Sequence, residues 1–344
     1  MTSPDLRGRN LLSVTDLTRD EFMYLVGLAG RLREEKRSGH WQRRLSDRNI
    51  ALIFTKSSTR TRSAFEVAAH DEGAHVTYLG PGDAHLGRKE SVKDTARVLG
   101  RMFDGIEYRG SSQDDVELLG AHAGVPVWNG LTDAWHPTQM LADVLTMCDH
   151  SGKPLAEVSC CYLGDGGDAS SLLVTAALLG FDLRICAPDT MPPSPSVETM
   201  AKALAAESGA RLTVTADIAV GVADADFVCT DIWLRTTAPP AVWDQRVGQL
   251  LPYQVNGQVM AATGNPDVKF MHPLPSLHDT QTDIGRQVHE RYGVAALEVT
   301  DEVFESPASV VFDQAENRLH IQKAILVLLL EGGVHRFPPR STNA

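Results

Sequence analysis

From residue 49 onward the chain alternates short apolar runs with longer stretches of helical periodicity. "NIALIF" precedes a helix through Ala68, and "AHVTYLG" precedes one through "SVKDTARVLGRMF". "GIEYRG" precedes "DDVELLGAHAG", and "VPVW" precedes a long helix after "HPTQ". Strands separated by helices in this way form a parallel sheet with crossover helices. The pattern restarts at "VSCCYLGDGGD", with strands expected near 158–163, 183–187, 211–215, 226–229 and 268–271. With 344 residues, two cores can be built. The expectation is therefore an α/β chain of two doubly wound parallel-sheet domains with an interdomain cleft. Residues 1–150 form the first and 151–314 the second, divided where "HSGKP" breaks the long helix at 150–154. A last helix, about 315–335, packs back on the first domain. Ahead of the sheet, Thr18 and Glu21 form a capping box for a helix over 18–39, with Phe22, Leu25, Val26, Ala29 and Leu32 on one face.

Charge narrows the function. The net charge of −12 disfavours nucleic acid or an anionic membrane as the partner, so a local cluster of cations carries information. The opening "MTSPDLRGRN" has no apolar signal core, and the longest apolar run, "AILVLLL", is too short to span a bilayer. Five cysteines without a CxxC spacing read as free thiols in a reducing compartment. The expected location is cytoplasmic.

A cluster that mixes cations with hydroxyls lies at "FTKSSTRTRSAFE", where the first strand hands over to a helix. In open α/β sheets ligands bind beyond the carboxyl ends of the strands, and a helix N-terminus there offers unpaired N–H groups to an anion. Ser57, Ser58, Thr59 and Thr61 add neutral donors, while Arg60 and Arg62 can grip a phosphate. Arg109 ends a later strand in "YRG"; His136 precedes the helix-opening Pro137 in "WHPTQ", with Gln139 one turn in. All are expected on the same edge of one sheet.

These words, with "HLGRKESVKDTARVLGRMFDGIEYRG", "GVPVWNGLTDAWHPTQMLADVLTM", "GNPDVKFMHPLP" and "EVTDEVFESPASVVFDQAENRLH", resemble the carbamoyltransferase family, most nearly its ornithine carbamoyltransferases. The resemblance runs over nearly the whole chain. It implies a carbamoyl-phosphate domain followed by an amino-acid domain, in a homotrimer or dimer of trimers with sites at subunit interfaces. By it, Ser58, Thr59, Arg60, Thr61 and Arg62 match the carbamoyl-phosphate loop. Arg109, His136 and Gln139 hold the carbamoyl group, and His85 reaches a neighbouring subunit's site. Arg318 lies near the carbonyl, and the backbone at Pro273 and Leu274 holds the carbamoyl NH2. The reaction implied is attack by a neutral amine on carbamoyl phosphate, which needs no metal or organic cofactor. Donors on the developing oxyanion supply the rate.

Three stretches depart from the ornithine enzymes, all on the acceptor side. The usual Asn-Asn pair is missing from "GDGGDASS", which brings Asp168 forward. "LRTT" replaces Ser-Met-Gly after Asp231 and Trp233, giving Arg235. "HPLP" places Pro273 after His272 where the family has cysteine. Hydrogen bonds to charged groups contribute about 1.5–3 kcal/mol each. The expectation is hence a carbamoyltransferase whose acceptor is an amine other than plain ornithine, contacted by Asp168, Asp231, Arg235 and His272. The alternatives are an ornithine carbamoyltransferase making citrulline and a non-catalytic carbamoyl-phosphate-binding homologue. "GDGGDA" alone also fits a dinucleotide turn, but a glycine-rich turn opens this family's second domain too.

Overall fold

The structure is a computed structural model that describes residues 4–40, 42–83, 86–87, 89–234 and 238–330. The chain forms two compact units, Met1–Ala142 with Glu316–Ala344, and Asp143–Ala315. The division falls inside a helix, between Ala142 and Asp143, instead of at the 150–154 break.

In the first unit the elements follow as α1 (Arg19–Arg37), β1 (Asn49–Phe54), α2 (Thr59–Asp71), β2 (His75–Leu79), α3 (Val92–Leu99), β3 (Gly105–Arg109), α4 (Gln113–His122) and β4 (Val127–Leu131). The first turns of α5 (Pro137–His150) close the series. The four strands form one parallel sheet in the order β2-β1-β3-β4. Helices on both faces explain why β1 is apolar and buried from Ile50 to Phe54. The core joins Ala51, Ile53 and Ile106 of the strands to Val92, Ala96, Val116 and Leu119 of α3 and α4. Thr18 caps α1, and the five apolar residues expected on its inner face are all buried.

Two elements differ from expectation. The α3 helix stops at Leu99, and Gly100 caps it against the backbone of Ala123, where a Cβ would sit 1.7 Å from the carbonyl oxygen. Strand β4 starts at Val127 and continues through Asn129 and Gly130, residues with poor strand propensity. Asn129 is buried and tolerated because its side-chain amide donates to the Leu12 carbonyl at 2.8 Å.

The second unit runs β5 (Ser159–Leu163), α6 (Ser170–Leu179), β6 (Asp182–Cys186), α7 (Pro195–Ser208), β7 (Leu212–Thr215), α8 (Ile218–Val222), β8 (Phe227–Cys229), α9 (Pro240–Leu250), α10 (Gly257–Ala262), β9 (Lys269–Met271), α11 (Asp283–Tyr292) and α12 (Asp301–Phe304). After α12 begins α13 (Val311–Leu330), whose later part belongs to the first unit. Its sheet is parallel throughout, in the order β7-β6-β5-β8-β9. Both sheets are doubly wound. Strand order reverses between β1 and β3 in one and between β5 and β8 in the other, and such switch points are where open α/β sheets bind ligands. No helix among the described residues is long and apolar enough to cross a membrane.

Candidate active site

At the first switch point β1 ends at Phe54 and β3 at its register partner Arg109. The chain then turns into α2, whose N-cap is Ser58: its hydroxyl accepts from the Thr61 N–H at 3.2 Å, in extended backbone. The first turn of a helix leaves N–H groups without intrahelical partners, donors of the kind an anion site uses. Thr61 is fully buried, and its hydroxyl oxygen accepts from two guanidinium groups, Arg109 Nη1 at 3.0 Å and Arg318 Nη2 at 2.5 Å. Arg318 arrives from α13, so residues 257 positions apart meet on one hydroxyl. Arg60 is half-buried beside them, and burial lowers its pKa. Burial likewise lowers that of Arg109, where Glu107 opposes the shift and Arg60 adds to it.

His136 immediately precedes α5, and its carbonyl accepts from the Gln139 N–H at 3.1 Å. Its imidazole is held well below the usual histidine pKa by burial first, then by Arg318 and Arg109. It is neutral at ordinary pH, and Nδ1 lies 3.4 Å from the Thr138 hydroxyl. Gln139 is buried. Ser58, Thr61, Arg109, Arg318 and His136 thus gather at one end of one sheet, with Thr59, exposed, at the first position of α2.

Arg62 behaves differently. Its guanidinium stacks over Tyr78, 3.7 Å from the ring centroid, and donates to Glu66 Oε1 at 2.8 Å, a helical i,i+4 pair. An aromatic face and a carboxylate of this chain thus partner the side chain that the sequence assigned to phosphate. His85 and Arg235 lie outside the described residues.

At the second unit's switch point, the turn after β5 carries Asp165 and Asp168, and the segment after β8 carries Asp231. Asp168 already has a cation of this chain as its partner. Arg246 of α9 donates to Asp165 Oδ2 at 2.6 Å, to Asp168 Oδ2 at 3.0 Å and to the Trp233 carbonyl at 2.6 Å. Asp231 is half-buried and its carboxyl is pushed up to about 6, by burial first; His272 works against the rise and Asp168 with it. His272 is buried, its Nδ1 accepts from the Leu274 N–H at 2.9 Å, and its Nε2 points to Glu298 Oε1 at 3.6 Å. Leu274 has φ of +58°, a left-handed conformation that costs a non-glycine residue about 1 kcal/mol or more. The Trp233 indole N–H and the Ser276 hydroxyl are buried without a partner among the described residues.

Two residues escape a reading of the sequence. Arg246 sits in "WDQRV", an ordinary amphipathic helix, and only the tertiary fold carries it to the β5 turn. Glu107, two residues before Arg109 and on the same face of β3, is fully buried. The i,i+2 spacing in "EYR" was the one available signal.

Similarity to known proteins agrees with this geometry. Residues 9–149 match the family described as "Aspartate/ornithine carbamoyltransferase, carbamoyl-P binding domain", and 156–329 match "Aspartate/ornithine carbamoyltransferase, Asp/Orn binding domain". The chain is 54% identical over 329 residues to a catabolic ornithine carbamoyltransferase of Rhizobium meliloti, covering 95% of this chain and 98% of that protein. An ornithine carbamoyltransferase of Actinobacillus pleuropneumoniae is also 54% identical, over 95% of this chain and 99% of its own length. Among solved structures, the ornithine carbamoyltransferase of Pyrococcus furiosus superposes with a TM-score of 0.87 at 39% identity, over 96% of this chain and 99% of that one. With a buried hydroxyl held by two arginines at one switch point and acidic groups at the other, the chain belongs to the aspartate/ornithine carbamoyltransferase family.

Proposed function

We propose that this carbamoyltransferase transfers the carbamoyl group of carbamoyl phosphate to the side-chain amine of ornithine, releasing phosphate and citrulline. The observation that carries the donor half is the Thr61 hydroxyl shared by Arg109 and Arg318 at the N-terminus of α2. The acceptor rests on the names of relatives at 54% identity, which support ornithine over the other amine expected from the altered acceptor stretches.

In this reading the phosphoryl group binds the first turn of α2 and Arg60, with Ser58 and Thr59 as neutral donors. Arg109, Thr61 and Arg318 surround the carbonyl. His136, held neutral by desolvation and the neighbouring cations, donates one hydrogen bond to the carbonyl oxygen. As the amine attacks, charge grows on that oxygen, and each donor aimed at it contributes about 3 kcal/mol. Gln139 and the backbone at Pro273 and Leu274 orient the carbamoyl NH2. Asp231, with His272 beside it, receives the acceptor's amine. The working assembly is a homotrimer binding carbamoyl phosphate and the amine, with His85 contributed to a neighbouring copy.

One observation keeps a second acceptor in view. Arg246 already neutralises Asp165 and Asp168 at the mouth of the acceptor site, and Arg235 and Pro273 stand where the ornithine enzymes carry other residues. A steady-state assay of citrulline formation decides. Turnover with ornithine at a rate typical of enzymes, tens per second, supports the first reading. Phosphate release with another amine, and none with ornithine, replaces it. Saturable carbamoyl-phosphate binding with no turnover on any amine would make the protein a binding homologue.

A further inference from the structure

His278, Asp301 and Glu305 of the second unit each offer one ligand atom, and those three atoms lie within 4.8 Å of one another. None of the three belongs to the anion site or to the acceptor residues assigned above. The set joins one imidazole nitrogen to two carboxylate oxygens. His278 is half-buried and both acids are exposed, so an ion in solvent has access to them.

The local fold builds the set from two segments. Helix α12 follows its N-cap Thr300, and the Glu305 N–H closes the turn on the Asp301 carbonyl at 2.9 Å. Asp301, Phe304 and Glu305 therefore share one helical face, at positions i, i+3 and i+4. Phe304 is buried and meets Phe312 edge-on, with ring centroids 5.9 Å apart and planes at 86°. His278 arrives after β9 and lies flat on Phe304, with 3.7 Å between centroids and 7° between planes. Stacking fixes the plane of the imidazole, and Nδ1 comes to 2.7 Å from Asp301 Oδ1. The backbone one residue earlier is pinned twice. The Leu277 N–H donates to Glu298 Oε1 at 2.8 Å, and the Leu277 carbonyl accepts from the Leu297 N–H at 2.8 Å.

The charges of the set are unbalanced. Like charges four residues apart on a helix repel, and among the described residues no lysine or arginine pairs with Asp301 or Glu305. A bound cation removes that repulsion. An organic ammonium or guanidinium group would meet the carboxylates but gain nothing from the imidazole lone pair. Calcium and magnesium prefer oxygen alone. Mixed imidazole and carboxylate ligands suit zinc and its first-row neighbours. Around tetrahedral zinc, bonds of about 2.0–2.2 Å put ligand atoms about 3.3–3.6 Å apart. The separations of 2.7 Å and up to 4.8 Å bracket that spacing, and exposed carboxylates need only rotate to reach it.

We propose that His278, Asp301 and Glu305 form a site for one divalent zinc-class ion, with water completing its shell. The ion takes the place of the proton shared by His278 Nδ1 and Asp301, and it ties the segment that begins at His272 to α12. It takes no part in carbamoyl transfer, so the proposal stands or falls apart from the substrate assignment.

The test uses the full chain without an affinity tag, stripped by a chelator and titrated with zinc in a calorimeter. The unaltered protein is expected to bind one zinc per chain with micromolar or tighter affinity. Losing an outer-shell group of a metal site costs about 10–100-fold in affinity. His278→Ala and Glu305→Gln remove direct ligands and are expected to lose at least that much. Glu305→Gln is the safer variant for folding, because its exposed carboxylate makes no hydrogen bond or ion pair among the described residues. Cobalt(II) in place of zinc reports the ligands. Visible bands without thiolate charge transfer are expected; a thiolate band would put the ion on a cysteine and overturn the proposal. Hydrogen exchange is expected to slow on adding zinc in residues 276–281 and 300–306, and slowing confined to other segments overturns it. No binding by the unaltered chain overturns it too. So does equal affinity in the unaltered chain and both variants, which would mean an adventitious ion only.

Discussion

Thr61 concentrates the donor site into one atom. Its hydroxyl accepts from Arg109 and Arg318, and hydrogen bonds to charged groups contribute about 1.5–3 kcal/mol each. Thr61→Val removes the acceptor but keeps the shape. It is expected to lower kcat/KM for carbamoyl phosphate by about 10² to 10⁴-fold, measured by phosphate release, and to lower the melting temperature as well, since two guanidinium groups lose a buried acceptor. Two titrations test the electrostatics. His136 resists protonation in the folded protein, while in the unfolded chain it protonates near 6.5. Its contribution to stability is thus present above about pH 6.5 and is lost as pH falls toward the depressed folded value. Asp231 has the opposite sign: raised from 3.8 to about 6, it contributes stability below about pH 4 that is lost as pH rises through about 6. At about 1.4 kcal/mol per pKa unit that loss is roughly 3 kcal/mol. Asp231→Asn is expected to raise the melting temperature at pH near 8 and to abolish turnover. If thermal scans show no gain there, the carboxylate is not the buried, costly charge described.

Elements place these atoms, and their ends are where function and stability meet. Ser58 caps α2 and at the same time lies in the loop proposed to bind carbamoyl phosphate. Ser58→Ala is expected to cost about 1 kcal/mol in urea denaturation and to raise KM for carbamoyl phosphate. Arg246 ties α9 to the turn after β5 through side chains that are about a fifth exposed. Arg246→Met leaves Asp165 and Asp168 without their cation, an expected loss of about 1–3 kcal/mol. KM for the amine should change while KM for carbamoyl phosphate holds. Equal changes in both would mean that α9 supports the whole fold and not the acceptor site. A reader of the sequence finds α2 and its cap without difficulty, since the hydroxyl cluster and the apolar strand before it are local signals. The α9 clamp is illegible there, because its partners lie 78 and 81 residues away.

At the scale of the whole molecule, the trimer expected from family resemblance is tested by light scattering on the eluted protein, which should give the mass of three chains. A monomer with full activity would exclude a site completed by a neighbour's His85. Sequence alone determined the two parallel sheets, the strand-to-helix turn with its cluster of hydroxyls and guanidinium groups, and the family, because each is written in contiguous residues: apolar runs, caps and a dense cluster of donors. It did not determine that Arg62 turns to Tyr78 and Glu66, that Arg246 closes over Asp165 and Asp168, or that Glu107 is fully buried. Those are choices among competing partners brought together from distant segments. A side chain's partner depends on which opposite charge packing leaves nearest and how much water packing removes, and neither quantity exists until the chain has folded.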